Sequence, residues 1–301
     1  MKYEDLSYDD LGTKRQRPMF LSTFTKFRKS MDMKTYPDDP HAYTQYFLDE
    51  IHNWIISHKF ITYFGLNNFL IREAIHGTTH TLDELHYLHK GKICVFDGEY
   101  KYHERLLGWK LKKIKQASDI EPGDVLVVSY PSCITAHYLP DFTKTLNHCY
   151  KIGVPVHIDG AWFGQCRNFF FNTDHPAIQS VSVSLSKALG MGSNRIGIRY
   201  SRKKVKGPIS IMNDYNYCNV SDMWIGVAMM KHYGSDYWWK NYSKEYTKVC
   251  NDFGLEECHS IHLGKGDTYY GIRTPLRMLI ENKYDERGTD RGLNETERNE
   301  K

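Results

Sequence analysis

Three groups of polar residues stand at or just after the ends of short apolar runs in the second half of the chain. In VPVHIDGAWFG the run ends at Asp159. In SVSLSKALGMGSNRIG it ends at Ser184, Ser186 and Lys187, and Arg195 follows eight residues after the lysine. Such runs predict strands, and ligands in α/β sheets bind beyond the carboxyl ends of the strands. We therefore expect these side chains to share one site.

The chemistry of pyridoxal 5'-phosphate (PLP) requires this combination of residue types. The cofactor forms a Schiff base with a lysine, and a carboxylate keeps its ring nitrogen protonated. Hydroxyl groups, an arginine and backbone amides at a helix start bind its phosphate. Each residue alone has an ordinary structural explanation, such as a solvated loop or a helix cap. Their order and spacing together predict a PLP site with Lys187 and Asp159 as catalytic residues and with Ser184, Ser186 and Arg195 at the phosphate.

The composition is that of a globular protein and argues against several other classes. The chain has 301 residues, of which 41% are hydrophobic and 25% are charged, with a net charge of +4. Its polar start predicts no signal peptide, and its apolar stretches are too short to span a membrane. Seven scattered cysteines without a C-x-x-C pair favour a reducing compartment, so we expect a cytoplasmic protein. The histidines include no H-E-x-x-H motif, and no metal site is predicted.

Apolar runs alternate with helical patterns over much of the chain, which predicts an α/β fold with a mostly parallel sheet covered by helices. Helical patterns include 67–76 and 139–151, and Asp39 followed by Pro40 indicates a helix start. The predicted strands are FITYF (60–64), KICVF (92–96), VLVVS (125–129), VPVHI (154–158), SVSVSL (180–185) and IGIRY (196–200).

The pattern predicts four segments. Residues 1–35 form a polar, basic arm without clear periodicity. Residues 36–210 form a large PLP-binding domain, and residues 211–285 form long helices and a smaller α/β C-terminal domain. Residues 286–301 are almost entirely charged or polar, which is typical of a disordered tail.

The lysine motif, S-x-S-K with arginine at +8 and glycine at +10, resembles that of class I/II aminotransferases. These belong to the aspartate aminotransferase superfamily, fold type I of the PLP-dependent enzymes. The resemblance covers roughly residues 33–282 and looks closest to the branch of histidinol-phosphate aminotransferase and threonine-phosphate decarboxylase. It implies a fold type I PLP-dependent transferase that forms a homodimer with shared active sites.

The resemblance implies further cofactor contacts. TYPDDP (35–40) resembles the segment whose tyrosine reaches the phosphate in the partner subunit, which assigns Tyr36. ITYFGLNNFLIREAI (61–75) resembles the strand, glycine turn and helix that hold the phosphate through backbone groups. That places Gly65, Leu66 and Asn67 at the phosphate. FDGEYKYH (96–103) resembles the segment with the aromatic ring that stacks on the cofactor, which assigns Tyr100, with Tyr102 behind it.

Near the end of the chain, GIRTPLRMLI (271–280) resembles the strand that carries the arginine for the substrate carboxylate. Arg277 fits the strand pattern better, and Arg273 is the alternative. Both residues stay candidates for substrate binding.

Two positions depart from the family pattern at the phenolic oxygen of the cofactor. YPSCITA (130–136) replaces the usual N-P-x-N-P-T-G, so that Cys133 or Ser132 stands in place of the asparagine. Trp162 replaces the usual tyrosine three residues after Asp159. An indole N–H donates one hydrogen bond but accepts none. The two changes bear on which PLP reaction the protein catalyses.

The leading prediction is an aminotransferase that acts on an amino acid or a similar amine through the Schiff base of Lys187. The first alternative is a PLP-dependent decarboxylase or other lyase on the same scaffold, and the second is a non-catalytic PLP-fold binding protein. The basic arm, with Lys14, Arg15 and Arg17, leaves open a substrate attached to nucleic acid or another macromolecule.

Overall fold

The structure is a computed structural model that describes residues 2–12 and 16–286. Lys14 and Arg15 of the arm lie outside the described residues, as does the predicted tail apart from Glu286.

The strands of the described residues form three sheets. Most of them are short, and the longest belongs to the central sheet. They are β1 (Ile61–Phe64), β2 (Ile71–Ile75), β3 (Ile93–Phe96), β4 (Leu111–Ile114), β5 (Val125–Ser129), β6 (Val156–Asp159), β7 (Phe169–Asn172), β8 (Ile178–Ser184), β9 (Gly197–Ser201), β10 (Glu256–Glu257), β11 (Leu263–Lys265) and β12 (Tyr269–Gly271).

The helices cover the sheets and connect their strands. They are α1 (Ser22–Lys29), α2 (Pro40–Ile56), α3 (Thr78–Leu88), α4 (Tyr102–Leu107), α5 (Phe142–Lys151), α6 (Leu185–Ala188), α7 (Pro208–Asp214), α8 (Val220–Tyr233), α9 (Tyr237–Asp252) and α10 (Arg273–Glu286). Helix α2 begins where the sequence predicts, because the Asp39 carboxylate accepts hydrogen bonds from the amides of His41 and Ala42.

The central sheet has seven strands in the order β2-β9-β8-β6-β5-β3-β4. Strand β9 runs antiparallel to both of its neighbours, and the other neighbouring pairs are parallel. All five residues of β5 are buried, as expected for a strand covered by helices on both faces. The prediction of a mostly parallel sheet covered by helices is confirmed.

Two smaller sheets complete the fold. Strands β1 and β7 form a parallel pair, and β10, β11 and β12 form an antiparallel sheet. Helix α10 packs on α9 beside the three-stranded sheet. None of the described helices combines the length and the apolar content that a membrane span requires.

The structure corrects two local predictions. The predicted helix at 67–76 is a short 3-10 turn followed by strand β2, which pairs with β9 at the edge of the central sheet. The segment 271–280 is not the predicted strand, because strand β12 ends at Gly271 and helix α10 starts at Arg273. Arg277 therefore lies on a helix, where its side chain is half exposed and pairs with Glu281.

The described part of the arm packs on its own chain. The Tyr3 hydroxyl donates a 2.8 Å hydrogen bond to Asp252, and Gly12 forms a β-bridge with Gly271. Phe24 on α1 is almost fully buried against Tyr233. The arm thereby brings Gln16 and Arg17 to the edge of the cavity described next.

Candidate active site

The carboxyl ends of the parallel strands of the central sheet surround a cavity of about 410 Å³. Ser129 ends β5, Asp159 ends β6 and Ser184 ends β8, and all three residues line the cavity. The register explains their proximity, because Asp159 pairs with Ser129 on one side and with Ser182 on the other. The volume lies within the roughly 300–1,000 Å³ range typical of small-molecule sites.

Lys187 and Asp159 face each other in this cavity. Lys187 lies on the short helix α6, which follows directly from β8. Burial lowers the pKa of its amine, Asp159 and Cys133 oppose that effect, and Arg195 adds to it. Burial likewise raises the pKa of Asp159, against the charge of Lys187 and hydrogen bonds from the Ala161 amide and the Thr78 hydroxyl. A buried carboxylate of this kind is suited to a positively charged partner.

Two aromatic rings border the lysine amine. Its Nζ lies 4.7 Å from the centroid of the Trp162 ring and 5.9 Å from the centroid of the Tyr100 ring. Trp162 is buried, whereas Tyr100 is 40% exposed, so that one ring forms an inner wall and the other stands near the opening. The ring of Tyr102 stacks on that of Tyr100, with the centroids 5.7 Å apart.

A second group of polar residues surrounds the Arg195 guanidinium. Its Nη2 atom donates a 2.7 Å hydrogen bond to the Thr79 hydroxyl at the start of α3. The backbone amides of Thr78 and Thr79 stand in the first turn of that helix, where amides lack partners within the helix. A Cβ atom on the preceding residue, Gly77, would lie only 2.7 Å from Arg195 Nη2. The glycine therefore lets the arginine approach the start of the helix.

The residues present fit PLP. The Ser186 hydroxyl lines the cavity and is buried without a hydrogen-bond partner among the described residues, so a bound phosphate oxygen would satisfy it. Ser184, Arg195 and the start of α3 add the hydroxyl, guanidinium and amide donors that a phosphate requires. Lys187 and Asp159 supply an amine and a carboxylate to the same cavity.

The backbone that carries Lys187 is held by two buried side chains. The Gln165 amide donates a 2.6 Å hydrogen bond to the carbonyl oxygen of Lys187. The Trp238 indole donates a 2.6 Å bond to the carbonyl oxygen of Ala188. Both bonds fix the short helix α6, and with it the direction from which the lysine enters the cavity.

Of the predicted site residues, Lys187, Asp159, Ser184, Ser186, Arg195, Tyr100, Cys133 and Trp162 all line the cavity. Gly65, Leu66 and Asn67 do not. They follow β1, and Gly65 packs against Asp174. The structure corrects this placement, because the helix start beside Arg195 belongs to Thr78 and Thr79.

Three other predicted residues lie outside the cavity lining. The Tyr36 ring packs against the Trp224 ring of the same chain, with centroids 5.6 Å apart. Arg277 is half exposed on α10. Arg273 is partly buried, and burial followed by the charges of Arg17 and Arg277 lowers its pKa.

Sequence reasoning missed several cavity residues. HGTTHTLDEL (76–85) has a glycine and two threonines just before a helical pattern, which is a start signal that could have been found. Ser129 gave no such signal, and neither did Glu99, which contacts Ser129 without lining the cavity. Arg17 was noted only as part of a basic cluster, yet it lies at the cavity edge with Lys101 and Arg105.

Residues 2–12 and 16–286 contain no group of three or more histidine, cysteine, aspartate or glutamate side chains that could bind a metal ion.

Comparison by sequence finds no matching protein-family model and no matching curated protein. Comparison of structures finds clear similarity. Aspartate aminotransferase from Thermus thermophilus, as a double mutant, is 13% identical, with a TM-score of 0.57 over 85% of this chain and 75% of the other. Alanine aminotransferase from Pyrococcus furiosus is 14% identical, with a TM-score of 0.53 over 80% and 70%.

A PLP-bound C-S lyase from Staphylococcus hominis is 10% identical, with a TM-score of 0.59 over 92% of this chain and 90% of the other. These similarities do not single out the histidinol-phosphate aminotransferase branch. They establish that the chain has the fold shared by these aminotransferases and the C-S lyase, fold type I of the PLP-dependent enzymes.

Proposed function

We propose that this protein is a PLP-dependent aminotransferase that acts on an amino acid or a similar amine. The observation that carries the proposal is the meeting of Lys187, Asp159 and Arg195 in one cavity beyond the carboxyl ends of the strands. Lys187 would hold the cofactor covalently, and Arg195, Ser184 and Ser186 would bind its phosphate. When bound, PLP supplies an electron sink for the charge that develops at the α-carbon of the substrate.

Asp159 is the partner of the cofactor ring nitrogen in this proposal. Its carboxylate is buried and already accepts hydrogen bonds from the Ala161 amide and the Thr78 hydroxyl. Burial raises the pKa of Asp159, and a positive charge beside the carboxylate favours its ionised form. A protonated ring nitrogen supplies that charge, and the carboxylate in turn keeps the nitrogen protonated.

Lys187 acts as the proton carrier of the reaction. Once the substrate amine has displaced it from the cofactor, its Nζ atom would be the base that takes the proton from the substrate α-carbon. Burial and the charge of Arg195 favour the neutral amine that this role requires, since both lower the pKa of Lys187. Trp162 and Tyr100 flank the amine and limit the access of water to it.

The substrate carboxylate is assigned to the cationic edge of the cavity. Arg17, Lys101 and Arg105 line this edge, whereas the predicted Arg277 does not. Arg273 stays a candidate through its proximity to Arg17, whose charge acts on it. We favour Arg17, because the arm places it in the cavity lining itself.

A lyase is the second candidate, and two observations favour it. A C-S lyase occurs among the structural neighbours alongside aminotransferases. Cys133 and Trp162 also stand where the resemblance places an asparagine and a tyrosine. The alternative differs in the product, because a transaminase leaves the amino form of the cofactor, whereas a decarboxylase releases carbon dioxide and a C-S lyase cleaves a carbon–sulfur bond.

A homodimer with shared sites and a cytoplasmic location belong to the same proposal. Tyr36 lies outside the cavity of its own chain, which is compatible with a role in the site of a second copy. Mixing a Tyr36→Ala variant with a Lys187→Ala variant should then restore activity through hybrid dimers. A monomer in sedimentation experiments would contradict shared sites.

The decisive experiment is reconstitution with PLP. The wild-type protein should develop the visible absorption band of lysine-bound cofactor, and Lys187→Ala should not. Lys101→Ala is the matched control, because this lysine also lines the cavity but lies at its edge. Amino acids added to the coloured protein should produce amino-form cofactor without carbon dioxide. A wild-type protein that stays colourless would refute the proposal.

A further inference from the structure

A partly buried carboxylate contacts three residues of the cavity wall without lining the cavity itself. Glu99 follows strand β3, and its Oε1 atom accepts a 2.8 Å hydrogen bond from the Ser129 amide. Its Oε2 atom accepts three more, from the Ser129 hydroxyl at 2.7 Å, the Tyr100 amide at 3.1 Å and the Cys133 thiol at 3.4 Å. All three donor residues line the cavity.

The hydrogen bonds favour the ionised form of Glu99. Each carboxylate oxygen accepts a bond from a backbone amide, which can only donate, and the Ser129 hydroxyl and the Cys133 thiol donate to the same group. Burial raises the pKa of Glu99, as does the charge of Asp159, but the Ser129 and Tyr100 bonds oppose this rise. Hydrogen bonds donated to a carboxylate favour its charged form.

The contact also fixes the proton of Cys133. Burial and then the charge of Glu99 raise the pKa of this thiol well above its usual value, so Cys133 stays protonated. Because the S–H group donates to Glu99, it is not available as a donor to a ligand in the cavity. Asp159 and Lys187 are the other charged groups whose fields act on Cys133.

We propose that Glu99 is a positioning residue that directs the Cys133 thiol proton away from the cavity and places a negative charge behind the cavity wall. The sulfur of Cys133 then meets a ligand as an acceptor, where the asparagine expected at this position would be a donor. Glu99 also holds the amide of Tyr100 and thereby the ring beside Lys187. The part that concerns the cofactor rests on the proposed function, and the part that concerns Cys133 does not.

The first test uses the protein without cofactor. Among the described residues, six of the seven cysteines are buried and Cys133 is partly exposed, so a disulfide reagent should label Cys133 first, with the site checked by mass spectrometry. Glu99→Gln removes the charge but keeps the size of the side chain. Loss of the Glu99 charge lowers the pKa of the Cys133 thiol and so raises its thiolate fraction. Each tenfold gain in thiolate lowers the intrinsic reactivity by only about threefold, so the labelling rate at pH 8 should rise about threefold for every tenfold gain.

Two further variants separate charge from local loosening. Glu99→Asp keeps the charge and should leave the midpoint of the pH-rate profile near that of the wild type, even if the turn loosens. Asp97→Asn removes an exposed carboxylate from the same turn and should change neither the rate nor the midpoint. A Glu99→Gln protein that is folded by circular dichroism and has the wild-type profile would overturn the proposal.

The second test uses the protein loaded with PLP. Removal of a nearby negative charge destabilises the protonated form of the lysine-bound cofactor, so its visible band should titrate at lower pH in Glu99→Gln than in Asp97→Asn. An unchanged midpoint would refute the action of Glu99 on the cofactor. If no variant and no wild-type sample takes up PLP, the proposed function fails, and the labelling rates still decide the role of Glu99 toward Cys133.

Discussion

Gly77 offers a sharp test of the phosphate site, because its backbone and its surroundings can be perturbed separately. The residue has φ 74° and ψ 168°, a region in which side chains are strained by about 1–3 kcal/mol. An alanine Cβ at this position would also lie 2.7 Å from Arg195 Nη2. That atom is the far end of a flexible side chain, so the arginine can move aside without disturbing the core.

The movement has a functional cost. Arg195 would leave its 2.7 Å hydrogen bond to Thr79 and its place beside the start of α3. A hydrogen bond to a charged group contributes roughly 1.5–3 kcal/mol, and each 1.4 kcal/mol is a factor of ten in affinity. We therefore expect Gly77→Ala to bind PLP about 10- to 100-fold more weakly, in addition to losing stability.

Gly234 is the matched control. Its backbone has φ 74° and ψ 172°, almost the same as that of Gly77, but no atom lies within 4 Å of the position of an added Cβ. Gly234→Ala should lose a similar free energy of unfolding in urea and keep the wild-type affinity for PLP, measured by titration of the visible band. Equal affinities for PLP in both variants would refute the role assigned to Arg195.

Three further predictions follow from the site and the core. Asp159→Asn should keep much of the PLP binding and lose most of the activity, and near wild-type turnover would show that Asp159 is not the ring partner. Arg17→Ala should raise KM for an amino acid roughly 10- to 100-fold, because a hydrogen bond to a charged group is lost. Arg277→Ala should leave KM unchanged, and the reverse pattern would restore Arg277 as the residue that binds the substrate. Burial and then His86 lower the pKa of buried His103 to about 4. The unfolded chain binds a proton at His103 at a higher pH than the folded protein does. The stability that neutral His103 contributes is therefore complete above about pH 6.5 and is lost as the pH falls toward 4. Between pH 7.5 and 5.5 this loss should amount to about 1.3 kcal/mol. Urea unfolding of His103→Gln should show a correspondingly weaker pH dependence, and an unchanged dependence would contradict the burial argument.

The sequence predicts the part of the site that follows from local order along the chain. Asp159 and Lys187 each end a buried run, and the sheet brings such ends together at one edge. Arg195 stands two residues before β9, which returns antiparallel beside β8. Because all of these positions depend on strand ends, the apolar runs are sufficient to place them.

The missed residues depend on contacts between distant segments. The role proposed for Glu99 depends on its hydrogen bonds to Ser129 and Cys133, which lie about thirty residues further along the chain. Arg17 reaches the cavity because the described part of the arm packs on its own chain, for which the sequence gives no periodic signal. Residue types alone do not reveal such contacts.

The two incorrect elements have separate causes. In FLIREAI, the spacing of Ile71, Ala74 and Ile75 fits a helix, but pairing with β9 makes the segment an edge strand. In GIRTPLRMLI, the strand prediction came from the resemblance. The buried Leu276 and Ile280 are four residues apart, which is the spacing of the inner face of a helix.

The charges around the cavity favour an amino acid over an amine without a carboxylate. The described residues that line the cavity include five basic residues, Arg17, Lys101, Arg105, Lys187 and Arg195, and one carboxylate, Asp159. In the proposed function Lys187 is bound to the cofactor, Asp159 pairs with the ring nitrogen, and the phosphate brings roughly two negative charges. Four cationic side chains then face about two negative charges, and the excess positive charge lies at the open edge of the cavity. A substrate carboxylate reduces this excess, while a simple amine would add a positive charge to it.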